Sequence, residues 1–96
     1  MKTREEVLDI LAREKPSLQQ RYKVREIALF GSYARGEQTE QSDVDILVEV
    51  DPTIGLEFVS LAEELERRLG APVDLISARA VSPRHRKVLE TEMIDV

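Results

Sequence analysis

Ninety-six residues, 42% of them hydrophobic and 34% charged, suit one small soluble domain spanning 1–96, with too little chain for a second lobe. No Cys is present, which excludes disulfides, thiolate metal centres, iron–sulfur clusters and cysteine nucleophiles and points to a cytoplasmic protein. Nineteen acidic against fourteen basic residues leave a net charge of −5, which opposes general nucleic-acid binding and confines any phosphate binding to a local site.

Thr3 and Glu6 form a capping-box pair, and Val7, Leu8, Ile10 and Leu11 recur at helical spacing, so a helix is predicted over 4–14, ended by Pro16. A further short helix over 16–21 precedes a strand over 25–30, in which Ile27 and Leu29 alternate with Ala28 and Phe30. That strand runs into Gly31-Ser32 and a turn or two of helix closed by Gly36. After a polar loop over 37–42, residues 43–50 alternate cleanly: Val44, Ile46, Val48 and Val50 share one face, Asp43, Asp45, Leu47 and Glu49 the other. Leu56, Phe58, Leu61, Ala62, Leu65 and Leu69 mark an amphipathic helix stopped by Gly70 and Pro72. Residues 73–76 read as a third strand. Ser82 and Pro83 start a last helix through about 92, and Met93–Val96 reads as a short edge strand. The order predicts an α+β fold, a small mixed β-sheet flanked by helices. The short apolar runs and the charged start at Lys2, Arg4, Glu5 and Glu6 encode neither a signal peptide nor a membrane span.

The chemistry concentrates between Gly31 and Asp45. A strand delivering the chain into Gly-Ser and then a helix exposes backbone N–H groups and a hydroxyl where an anion is favoured. Gly31 permits close approach of a phosphate and Ser32 donates to it. Read alone, the same pair also suits an ordinary strand-to-helix turn. Asp43 and Asp45, two apart on a strand, leave the same face. Their mutual repulsion asks for a hard cation with oxygen ligands, of which magnesium, shared with substrate phosphates, fits best; a solvated acidic strand end is the plainer alternative. Asp74 is a third carboxylate, set in the apolar run 73–76.

Gly31-Ser32, ten intervening residues and then Asp43-x-Asp45 resemble the signature of the polymerase-beta-type nucleotidyltransferase superfamily, and the elements that follow keep that superfamily's order along nearly the whole chain. At this length the chain is most similar to the minimal nucleotidyltransferases, within them the MntA-type antitoxins encoded beside HEPT-domain toxins. The resemblance implies the polymerase-beta-type fold. It also implies that Gly31 and Ser32 hold the ATP triphosphate, that Asp43 and Asp45 ligate two Mg²⁺ ions, and that Asp74 completes the metal site; Asp74 is the better candidate to accept the hydroxyl proton, with activation by the metal alone as the alternative. The activity implied is transfer of AMP from ATP to a tyrosine of the HEPT partner, which silences that toxin. Transfer to a small molecule or RNA, and non-catalytic occlusion of a partner, are the alternatives.

Arg35 is within reach of a phosphate, or of a nearby acid. Arg79, Arg84, His85, Arg86 and Lys87 form a basic cluster that suits a triphosphate tail, RNA, an acidic partner or a solvated helix face. His85 is the only histidine, so a histidine triad or multi-histidine metal site is excluded. Four aromatics, Tyr22 and Tyr33 among them, are too few for a base-stacking platform; Tyr33 suits either a nucleotide contact or core packing.

Overall fold

A computed structural model describes residues 1–96. The first helix, α1 (Arg4–Tyr22), starts as the capping pair demands: Thr3 Oγ1 accepts from the Glu6 N–H at 3.1 Å and Glu6 Oε1 from the Thr3 N–H at 2.9 Å. Pro16 does not end it. The proline removes the donor for the Ala12 carbonyl, at about 3 kcal/mol in a helix interior. Leu18 and Tyr22, however, extend the buried stripe of Val7 and Leu11, and burying each such side chain contributes about 1.5–3 kcal/mol. Packing therefore carries one helix through the segment where the sequence predicts two.

Strand β1 (Val24–Phe30) follows a left-handed Lys23, and a bulge between Val24 and Glu26 puts Val24 and Ile27 on the same face although they are three residues apart. After the short helix α2 (Gly31–Arg35) come strand β2 (Val44–Val50), helix α3 (Glu57–Leu69) and strand β3 (Val73–Ser77). A 3₁₀ turn at Ala78–Ala80, absent from the sequence reading, leads to helix α4 (Pro83–Glu90) and strand β4 (Ile94–Asp95). Helix α4 stops two residues short of the predicted end, because the Glu92 and Met93 N–H groups both turn back to the Leu89 carbonyl.

The sheet order is β3-β2-β1-β4, with β2 and β3 parallel and the other pairs antiparallel. This is the mixed sheet with flanking helices that the element order predicts. Helices α1 and α3 cover one face over a core of 16 buried residues, and a bidentate Arg21–Glu64 pair at 2.7 and 2.8 Å ties the two helices together. On the other face only Ala28, Phe30 and Leu47 are buried, under the 3₁₀ turn and α4. No helix is long and apolar enough to cross a membrane.

Candidate active site

The thinly covered face carries the acids, and strand register decides which of them meet. Asp45 pairs with Phe30 of β1 on one side and with Asp74 of β3 on the other, so the two aspartates are direct neighbours on adjacent strands. Asp43 lies one residue before β2, exposed. Its charge still reaches Asp45: burial, then the charge of Asp74, then that of Asp43 push the Asp45 carboxyl above its ordinary range, against Arg35, which pulls it down. The carboxylates are brought to one corner but not drawn into a closed cage, and no three acidic or histidine groups stand close enough to chelate an ion by themselves. Their chemistry fits a hard divalent cation: an all-oxygen donor set under a negative field that Arg35 offsets only in part.

Gly31 stands where β1 ends, with φ at +73°, a conformation side-chain-bearing residues rarely adopt. A Cβ added there would lie 2.0 Å from Asp45 Oδ2. Glycine is required for two independent reasons, and the backbone turn and the Asp45 carboxylate are in intimate contact. Ser32 follows, half-buried, its carbonyl accepting from the Glu37 N–H at 2.9 Å. At five residues α2 has little macrodipole, so the turn's attraction for anions rests on its N–H groups and on Arg35 instead. An anion does sit there. Glu92 Oε1 accepts from the Gly31 N–H at 3.1 Å and Glu92 Oε2 from Arg35 Nη1 at 2.9 Å, while Arg35 Nε donates to Glu37 at 2.6 Å.

A family model described as a nucleotidyltransferase domain matches residues 11–96. The chain belongs to the nucleotidyltransferase family. Over 98 residues it is 44% identical to a Thermococcus cleftensis protein named protein adenylyltransferase MntA, covering 100% of this chain and 98% of that one. Among solved structures, a chain provisionally described as a minimal nucleotidyltransferase superposes with a TM-score of 0.78 at 35% identity, over 94% of this chain and 95% of that one. A complex of a tri-AMPylated Shewanella oneidensis HEPN toxin with an MNT antitoxin matches at a TM-score of 0.59 and 26% identity, over 96% of this chain and 66% of that one.

In this nucleotidyltransferase domain the remaining candidates lie elsewhere. Tyr33 is buried in the main core at 3% exposure, which favours its packing role. Tyr22 is also in that core, under the Arg21 guanidinium. Arg79, Arg84, His85 and Lys87 are exposed, Arg86 pairs with Glu90 at 3.3 Å, and the His85 ring meets Ser82 at 3.1 Å, the bonding of a solvated helix face. Glu92 is the residue that sequence reasoning missed. The available signal was the terminal strand: pairing it against β1 sets Glu92 opposite Gly31.

Proposed function

We propose that this chain is an antitoxin that transfers AMP from ATP to a hydroxyl, that of a tyrosine, on a HEPT-type toxin partner. The observation that carries the reading is the corner itself, Asp45 in register with Asp74 and pressed against the glycine of an anion-holding turn. The names of the Thermococcus relative and the Shewanella complex support the protein acceptor and the toxin partner.

Gly31 and Ser32 bind the phosphate oxygens through their N–H groups, and Arg35 adds a charge-assisted donor, so that the triphosphate is held with its α-phosphate towards the aspartates. Asp43, Asp45 and Asp74 would hold magnesium ions, which when bound supply neutralisation of the triphosphate and a more acidic acceptor hydroxyl. Asp74, exposed on the edge strand β3, has access to a hydroxyl presented by a protein surface and accepts its proton. The acceptor oxygen bonds to the α-phosphorus as the bond from that phosphorus to the β-bridging oxygen breaks, and pyrophosphate departs with the electron pair. Positioning and charge do most of this work, which is what rigid strands can supply.

Incubating the chain with ATP, Mg²⁺ and the toxin partner is expected to raise the partner's intact mass by one AMP or multiples of it. The doubly substituted Asp43→Asn/Asp45→Asn chain should add none. Transfer persisting in that variant overturns the metal assignment, and a tight complex whose partner stays unmodified favours occlusion instead.

A further inference from the structure

A carboxylate that the proposed chemistry does not use is seated on the Gly31 turn. Register puts it there: β4 pairs Asp95 with Ala28 and Ile94 with Leu29, and two further steps set Glu92 opposite Gly31. The backbone on either side is held, with the Glu92 and Met93 N–H groups donating to the Leu89 carbonyl at 3.0 and 2.9 Å. The side chain then divides its two oxygens between a backbone N–H and a guanidinium. A phosphate group takes the same kind of donor pair.

Glu92 has the wrong sign to assist a triphosphate. Its charge adds to the negative field around Asp45, and the carboxylate and a phosphate cannot both occupy the Gly31 and Arg35 donors. We propose that Glu92 is a built-in phosphate surrogate, which fills these donors in the resting protein and must be displaced by the incoming nucleoside triphosphate, thereby setting how tightly it binds. The proposal rests on reading the Gly31 turn as the transferase's phosphate site. The contact is open to competition, since the Glu92 side chain is 27% exposed and that of Arg35 46%. Arg35 also keeps its bond to Glu37 when Glu92 leaves, so the guanidinium stays near the turn.

Calorimetric titration of the full chain with AMP-PNP, inorganic tripolyphosphate and adenosine tests this, with thermal melts to establish folding. Glu92→Gln keeps an acceptor for the Gly31 N–H but loses the charge that pairs with Arg35. It is expected to bind AMP-PNP and tripolyphosphate about fivefold tighter than the wild type, the gain appropriate to releasing a half-exposed ion pair, with adenosine unchanged. Glu92→Asp, one methylene too short to span both donors, shares the gain and carries the test alone if Glu92→Gln does not fold. Arg35→Ala weakens both phosphate ligands. Wild-type binding of AMP-PNP together with unchanged or weaker binding by the folded Glu92 variant, or an equal gain for adenosine, overturns the surrogate and leaves the transferase reading standing. Failure of every chain to bind AMP-PNP overturns both.

Discussion

The two faces of the sheet are built to different specifications. Beneath α1 and α3, Val44, Ile46, Val48, Leu11, Leu61 and Leu69 are fully shielded from solvent, and the strand residues buried on that side are all apolar. On the opposite face, the same strands present Asp45 and Asp74 beside a cluster of three buried residues. A carboxylate corner has to remain open to solvent, cations and substrate, so the apolar cover there stops short. Stability is concentrated on one side and chemistry on the other, and substitutions can separate the two.

The largest effect is expected on the packed side. Leu11→Ala or Leu65→Ala should lower unfolding free energy by about 2–5 kcal/mol in urea denaturation, and Leu47→Ala in the small cluster by about 2 kcal/mol, at the lower end of that range. Equal losses would erase the distinction between the faces. Next, Gly31→Ala should cost about 1–3 kcal/mol through its left-handed backbone and abolish AMP transfer by displacing Asp45. Gly70→Ala sharpens the point: its φ of +65° imposes comparable strain, but the added Cβ meets only the end of Lys2 at 3.6 Å, so transfer should survive. Thr3→Ala, which breaks the capping box away from the acids, should cost about 1 kcal/mol with transfer unchanged.

The smallest effect has the opposite sign. Burial and the neighbouring Asp74 and Asp43 charges hold the folded-state pKa of Asp45 above its unfolded value of 3.8. Protonation therefore favours the fold, and stability is lost as pH rises from below 3.8 through the raised folded-state value, a loss still present at neutral pH. Asp45→Asn should raise Tm near neutral pH while destroying activity, and the advantage should vanish once the pH falls below the ordinary carboxylate range. A Tm that drops on this substitution at neutral pH would remove the idea that the corner is held at a cost to stability.

Strand and turn signals were legible because they are local. Alternation located β2, Gly31 and Gly36 bracketed the short helix, and Gly31, Ser32, Asp43 and Asp45 stood out because their spacing resembles a nucleotidyltransferase signature. Pro16 misled, since helix propensity is counted over neighbours whereas Leu18 and Tyr22 gain their burial from a sheet formed later in the chain. Asp74 could be picked out as an acid in an apolar run, but its pairing with Asp45 depends on the parallel register of β2 and β3, which no local pattern encodes. Sequence leaves Arg35 a phosphate or an acid as partner; its acids come from Glu37, two residues on, and Glu92, far along the chain.

By itself, the order of residues determined most of the elements, the sheet-and-helix class and the candidacy of Gly31, Ser32, Asp43, Asp45 and Asp74, because period, capping and turn chemistry act within a few residues. Only the tertiary structure decided that Asp45 lies between Phe30 and Asp74, that glycine alone fits against its carboxylate, and that Glu92 occupies the turn. These are contacts between segments distant in sequence, set by strand register and by burial of the α1–α3 face, and they exist only once the sheet has closed.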